Sequence, residues 1–262
     1  QTNEPPFCFR QGTRPLLISM PHVGTHVPPE LAKRFTDEGQ RVPDTDWHLE
    51  RLYDFADALG ASVLVATHSR FVIDLNRPLD GASLYPGQSV TGLCPVDLFD
   101  NQLLYRDPAD VPCEAEIAER RDAIWQPYHA QLAQELARLR EVHGVATLWD
   151  AHSIRSVLPR FFDGQLPDLN LGTVNGASCT PVLAEKLLSI AKQATGYTAV
   201  LNGRFKGGHI TRQYGNPSQG IHAVQMELTQ RSYMLERWPF PYLPDVAAGV
   251  QVHLRCMLEA ML

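Results

Sequence analysis

No stretch of this sequence is apolar for more than about the length of a β-strand, far short of the roughly 20 residues needed to cross a bilayer. The opening residues, Gln1 to Arg10, lack the apolar core of a signal peptide. Cysteine is sparse and unpatterned. Cys8, Cys94, Cys113, Cys179 and Cys256 are odd in number and contain no CxxC pair, which argues against a disulfide framework and a thiolate metal site and for a reducing, cytoplasmic setting. Positive charge is also short: 23 Lys and Arg face 29 Asp and Glu, a formal charge of -6. That balance lacks the basic stripe of a nucleic-acid binder, so any acidic ligand must be met by individual arginines. There is no GxSxG nucleophile elbow, no P-loop and no dinucleotide fingerprint.

What remains is an ordinary globular composition, 44% hydrophobic and 20% charged over 262 residues, enough for one large α/β domain spanning 1–262. Strands are predicted at Leu16–Met20, Ser62–Thr67, Phe71–Ile73, Val145–Trp149, Leu169–Thr173, Thr198–Leu201 and Ala223–Leu228. Several are apolar throughout, as strands covered on both faces should be. Helices are predicted at Thr45–Leu59, Glu114–Val142, Pro181–Thr195 and Pro244–Leu262. The second repeats its apolar residues near the 3.6-residue period and should kink at Pro127. In the third, Thr180 suits a cap and Pro181 the first helical position. Strands alternating with helices imply a three-layer α/β sandwich, and some connections are too short for helical crossovers, so its central sheet should be mixed. Pro78–Asp97 and the glycine-rich Asn202–Gly220 read as ordered loops.

Four segments end or follow predicted strands yet carry polar residues that a core would reject: Ser19–Gly24, Asp74–Arg77, Asp150–Ser153 and Gln225–Leu228. Residues at strand ends converge on one crevice in an α/β sheet. His22 and His152 are neutral imidazoles at two such ends and suit zinc. Two histidines, one carboxylate and an open position form a catalytic zinc arrangement. Asp46 is the candidate carboxylate, and Asp150 is alternatively a partner that orients a histidine. Glu227 sits in an apolar strand, where a carboxylate is costly unless it is used, and beside a metal-activated water it could act as base and acid. Arg77 offers a planar fork for a carboxylate. Arg70, Arg204 and Arg212 are further candidates, with Arg70 and Arg204 leaning toward the solvated surface. The glycines around His209 would let a loop close over a ligand.

Taken together, Met20–His26, Asp44–His48, Ser69–Arg77, Asp150–Ser153, Gly207–Arg212 and Gln225–Leu228 resemble the N-formylglutamate amidohydrolase family, over about Leu16 to Tyr233. That family is related to zinc carboxypeptidases and aspartoacylases. The resemblance implies their fold (zinc-carboxypeptidase-like, phosphorylase/hydrolase-like) and a zinc-bound water. The relatives carry His-x-x-Glu as the first metal motif, but here Thr25 stands three after His22. Asp46 is therefore the implied replacement ligand, with Glu50 the weaker alternative. By the same resemblance Asn76 and Arg77 hold a substrate carboxylate and Glu227 is the catalytic glutamate.

The expectation is a Zn2+-dependent (or other divalent-metal) hydrolase that converts N-formyl-L-glutamate to formate and L-glutamate in histidine degradation. Metal would sit on His22, Asp46 and His152. Glu227 would be the general base and acid, Arg70 an oxyanion donor, and Asn76, Arg77, Arg212 and His209 the substrate contacts. The alternatives are a related N-acyl-amino-acid amidohydrolase and a non-catalytic dicarboxylate-binding protein. A small-molecule partner is expected, with neither nucleic acid nor membrane.

Overall fold

The computed structural model describes residues 4–82, 87 and 89–262. Seven strands form one sheet: β1 (Phe7–Arg10), β2 (Leu16–Met20), β3 (Ser62–Ala66), β4 (Ala146–Ile154), β5 (Leu169–Gly172), β6 (Ala199–Leu201) and β7 (Ile221–Thr229). The helices are α1 (Pro29–Ala32), α2 (Leu49–Leu52), α3 (Glu114–Arg120), α4 (Gln126–His143), α5 (Pro181–Lys192), α6 (His209–Tyr214) and α7 (Pro244–Glu259). The strand order is β1-β3-β2-β4-β7-β5-β6. β3, β2, β4 and β7 run parallel, β1 pairs antiparallel with β3, and the β5–β6 pair runs antiparallel to β7. The sheet is therefore mixed.

Each strand's alternation assigns its residues to two cores. Ile18, Val63, Trp149, Ala151, Val224 and Met226 pack with Ala184 and Leu187 of α5 and Val250 and Leu254 of α7 on one face. Leu17, Leu64, Leu148 and Ala223 pack with Tyr128, Leu132 and Leu136 of α4 on the other. The result is a three-layer α/β sandwich. No helix among the described residues is long and apolar enough to cross a membrane.

The second face changes character along the strands. On β4 it reads Ala146, Leu148, then Asp150 and His152; on β7 it reads Ala223, then Gln225 and Glu227, all buried. Side chains two apart share a face, so this is one apolar surface turning polar halfway up the sheet. β2 and β4 are neighbours whose onward connections diverge, β2 to β3 on one side and β4 toward β5 on the other. Their carboxyl ends flank the crevice where such sheets place ligands.

Several elements differ from the sequence expectation. β1 was not expected; it is a short edge strand whose Phe7 and Phe9 pack on the α4-side core. Phe71–Ile73 is a turn rather than a strand. Its apolarity reflects burial in the same core, and Ser69 holds it by accepting from Phe71 N (3.2 Å, side chain) and Val72 N (2.8 Å, carbonyl). β4 runs on to Ile154, so His152 lies within a strand instead of after one. The helix expected at Thr45–Leu59 is only α2 and a 3-10 turn, because His48 adopts a left-handed φ of 63°. Before Pro127 the long helix widens into a π-turn at Arg121–Trp125, the local accommodation of a proline ring that cannot donate and crowds the preceding turn. Asn202–Gly220 contains α6, and of the expected loop Pro78–Asp97 residues 83–86 and 88 lie outside the described residues.

Candidate metal centre and active site

Two backbone features bring the first pair of ligands together. His22 follows β2 by two residues, and Asp46 N donates to His22 O (3.0 Å). His152 arrives from β4, next to β2 in the sheet. The three side chains are buried, and their facing atoms form a small triangle. His22 Nδ1 lies 3.2 Å from His152 Nδ1, His152 Nδ1 lies 3.1 Å from Asp46 Oδ2, and His22 Nδ1 lies 3.7 Å from Asp46 Oδ2.

The outward nitrogens decide what the inward ones can do. His22 Nε2 is 2.7 Å from Asp74 Oδ1 and His152 Nε2 is 3.1 Å from Asp150 Oδ2. Carboxylates are acceptors only, so each takes the Nε2 proton, the orientation that carboxylates impose on metal-binding histidines. Asn76 Nδ2 also lies 3.2 Å from His152 Nε2, but an amide NH2 cannot compete with an anion for a donor proton. Both Nδ1 lone pairs then face each other and the Asp46 carboxylate. The two Nδ1 atoms and the Asp46 carboxylate converge on one point, where positive charge, whether a proton or a cation, satisfies them. A tetrahedral zinc with bonds near 2.0–2.1 Å separates its ligand atoms by roughly 3.3 Å, close to the three edges observed.

The electrostatics agree in direction. Burial would raise the Asp46 carboxyl, but hydrogen bonds from His152 and His22 outweigh it and hold the group at about 2. Burial would push the His152 ring down, yet Asp150 and Asp46 carry it well above the usual histidine range. Both shifts say that positive charge is stabilised at this point.

Asp74 is the hub beneath the triangle. Fully buried, it accepts from His22 Nε2, Arg70 Nη2 (2.7 Å) and its neighbour Asn76 N (2.9 Å). Despite burial, His22 and Arg70 keep its carboxyl well below the ordinary value. Arg70 is thereby fixed with Nη1 4.0 Å from Asp46 Oδ1, its guanidinium over the Phe99 ring (4.7 Å) and its Nε with no hydrogen-bond partner among the described residues. It is 6% exposed, so the lean toward a surface position is corrected: the ion pair with Asp74 draws it inside.

Glu227 stands beside His152, its register partner across β4 and β7. Burial pushes its carboxyl up to about 8, even though His152 opposes the shift. Gln225, two residues back on the same face, has an orientation set by its other contact: its Oε1 accepts from Gly208 N (2.6 Å). The amide NH2 must then face Glu227, donating to Oε2 at 3.3 Å. Gly208 has no room for a side chain there, since a Cβ would lie 2.3 Å from the Asn76 amide. Asn76 Oδ1 accepts from Ile210 N (2.8 Å), so Asn76 and Gln225 together anchor the start of α6 against the sheet.

These residues floor a cleft of about 570 Å3, counted to its open mouth. His22, Arg70, Asn76, Arg77, His152 and Glu227 line it, with Phe99, Phe161, Arg204, Phe205 and Gln225. Among the described residues Arg77 donates to uncharged oxygens: Nε to Thr91 O (2.8 Å), Nη1 to Asn76 O (3.1 Å) and Nη2 to Thr91 Oγ1 (3.2 Å). Two expected substrate contacts lie outside this lining. Arg212 is exposed, because α6 turns Ile210 and Thr211 inward and Arg212 out, and its Nε donates to Gly207 O (2.9 Å). His209 packs instead on Trp125 and His129 (ring centroids 5.7 and 5.4 Å). Glu50 lines a different groove, with His26 and Cys8. The sequence alone assigns Asp74 and Gln225 no role, although a charge inside the apolar run Phe71–Leu75 is a usable signal for the first.

A model of the N-formylglutamate amidohydrolase family matches residues 14–234. An N-formylglutamate deformylase from Pseudomonas putida is 55% identical over 254 residues, 97% of this chain and 94% of that protein. One from Pseudomonas aeruginosa is 52% identical over 254 residues, 97% of this chain and 95% of that protein. Among solved structures, N-formylglutamate amidohydrolase from Ralstonia eutropha JMP134 has the same fold at 24% identity, with a TM-score of 0.81 over 98% of each chain. A family match over most of the chain, with relatives identical at more than half of the aligned positions, makes this chain a member of the N-formylglutamate amidohydrolase family.

Proposed function

We propose that this chain hydrolyses N-formyl-L-glutamate to formate and L-glutamate, the last step of one route of histidine breakdown. One observation supports the metal-dependent part: three buried ligand atoms, His22 Nδ1, His152 Nδ1 and Asp46 Oδ2, meet within 3.7 Å beside Glu227. The substrate rests on the likeness to the two deformylases.

His22, Asp46 and His152 would hold zinc or another divalent ion. Such an ion, when bound, lowers the pKa of water toward about 7 and polarises a carbonyl. The remaining work belongs to side chains. Glu227, desolvated and aligned by Gln225, takes the proton of the attacking water. A C–O bond forms at the formyl carbon, and Arg70, which Asp74 holds with its Nε unsatisfied, donates to the oxygen that gains charge. Glu227 returns the proton to the leaving nitrogen as the C–N bond breaks. Asn76 keeps the α6 loop in register, and Arg77 offers its fork to a substrate carboxylate.

The test is formate release from N-formyl-L-glutamate by the purified protein, with metal content measured on the same sample. About one zinc per chain, activity abolished by chelation and restored by zinc, and rates falling from formyl- to acetyl- to succinyl-glutamate are expected. Full activity in metal-free protein would overturn the role of the triangle. A preference for the acetyl or succinyl substrate would overturn the substrate.

A further inference from the structure

The three ligand atoms of the triangle are not held alike. His152 lies within β4 and His22 two residues beyond β2, so the sheet aims both. Asp46 lies in the irregular segment between the 3-10 turn Gly39–Arg41 and α2, where no strand or helix fixes its direction. Its aim depends on the peptide units around it. The peptide it shares with Thr45 is held at both ends: Asp46 N donates to His22 O (3.0 Å), and Thr45 O accepts from Gln230 Nε2 (3.0 Å). On the other side of Asp46, Trp47 O accepts from the Tyr233 hydroxyl (2.9 Å).

Gln230 opens the 3-10 turn that follows β7, the strand of Glu227, and Tyr233 closes it. Ser153, next to His152 on β4, joins them: its Oγ lies 2.7 Å from the Tyr233 hydroxyl and 3.4 Å from Gln230 Nε2. The acceptors fix the direction of each bond. Trp47 O can only accept, so the single Tyr233 proton goes to it and Ser153 donates to the phenol oxygen. Thr45 O can only accept, so the Gln230 NH2 faces it, with a second hydrogen for the remaining lone pairs of Ser153 Oγ. A reversed amide would set Gln230 Oε1 against Thr45 O, two acceptors without a proton. Ser153, Gln230 and Tyr233 are all buried, so bulk water cannot replace a lost partner.

We propose that Tyr233 and Gln230 are positioning residues for the third metal ligand, gripping the carbonyls on either side of Asp46 while Ser153 ties the grip to β4. The proposal rests on the metal reading of the triangle above. It makes one buried network answer for the placement of Asp46 against both His152 and Glu227, whose paired strands, β4 and β7, are the other two anchors of the network.

The test measures zinc affinity, by competition with a chelator, in wild type, Tyr233→Phe, Gln230→Met, Ser153→Ala and Asp46→Asn, with Ser178→Ala as a control. Ser178 is also buried and gives up a hydroxyl bond of the same kind, to Ala223 O (2.8 Å), at the apolar end of β7. Tyr233→Phe and Gln230→Met should each weaken zinc binding about 10–100-fold, the scale for partners that orient metal ligands. Ser153→Ala leaves Tyr233 on Trp47 O and should cost less than Tyr233→Phe. Ser178→Ala should bind zinc as wild type does, although its unfolding midpoint falls. Wild-type zinc affinity in either Tyr233→Phe or Gln230→Met would overturn the proposal, and each variant decides alone if the other does not fold. An equal loss in Ser178→Ala would also overturn it, by marking a general loosening of the fold. So would a greater loss in Ser153→Ala than in Tyr233→Phe. Zinc binding lost in Asp46→Asn but kept in Tyr233→Phe would refute this proposal and leave the metal reading standing. A wild type that binds no zinc, or an Asp46→Asn variant of undiminished affinity, would sink the metal reading itself and the proposal with it.

Discussion

Replacing Glu227 by Gln should make the metal-free protein more stable at alkaline pH while removing its activity. The carboxyl titrates at about 8 in the fold against an ordinary 4.5, because burial opposes its charge. Between those values the folded state holds a proton that the unfolded state has released, so stability falls as pH rises through the window. Above both values the cost reaches the order of 5 kcal/mol, at about 1.4 kcal/mol for each tenfold change in proton affinity, for a group that is 7% exposed. Gln keeps the shape, cannot ionise, and removes this cost. Denaturant unfolding of both chelated proteins at pH 5 and pH 9 gives a double difference from which other titrating groups cancel. The gap between variant and wild type should be small at pH 5 and grow by a few kcal/mol at pH 9. Parallel pH profiles would refute the claim that the fold desolvates this carboxyl. In the metal-loaded enzyme the same substitution should cost about 10²–10⁴-fold in kcat, the usual share of general acid–base catalysis, with KM little changed. Undiminished turnover would end the assignment.

Three further substitutions probe the supports of the site. Asp74→Asn removes the anion that holds the His22 Nε2 proton, so zinc affinity measured with a chelating competitor should fall about 10–100-fold; unchanged affinity would remove Asp74 from that role. Gln225→Glu keeps the acceptor for Gly208 N but loses the donor to Glu227. It should therefore lower kcat by about an order of magnitude with KM nearly constant, the scale of a lost hydrogen bond to a charged group. Wild-type kcat would mean that Gln225 only latches the loop. Arg77→Ala should raise KM for N-formyl-L-glutamate by tenfold or more, and more than for neutral formyl-amides; equal effects would exclude a carboxylate contact.

The parts of this protein that were legible in its sequence are those where one local signal has one meaning. The apolar run at Leu16–Met20 became a strand because a short run buried on both faces has few alternatives. His22, Asp46 and His152 lie together as expected, since polar residues at the ends of apolar strands have one place to go. Phe71–Ile73 misled because a core plug and a strand share the same apolarity and differ only in partners distant in sequence. The helix expected at Thr45–Leu59 fails at His48, whose left-handed backbone leaves no mark in composition. Which of Arg204 and Arg212 lines the cleft is equally unmarked in the sequence. Both sit in a glycine-rich loop, and which one faces the cleft depends on α6 starting at His209, a register set by Asn76 and Gln225 from other strands and loops.

The same long-range partners explain why the polar centre is tolerated inside a packed sheet. Asp150, His152, Gln225 and Glu227 occupy positions whose lower counterparts on the same face are Leu148 and Ala223, so a simple fold would have continued the core. A buried carboxylate–histidine pair is a poor source of stability, because desolvation consumes much of the attraction. What the arrangement provides is direction. Asp74 and Asp150 each claim an outward Nε2 proton and so point two lone pairs at a third acceptor. Gly208 claims one end of Gln225 and so points the other at Glu227. Asp74 and Asp150 lie outside the cleft lining, so a cation can enter without displacing the contacts that orient the two imidazoles. The unfavourable features left on the cleft side, a raised carboxyl and three converging acceptors, are the ones that binding metal and water would relieve.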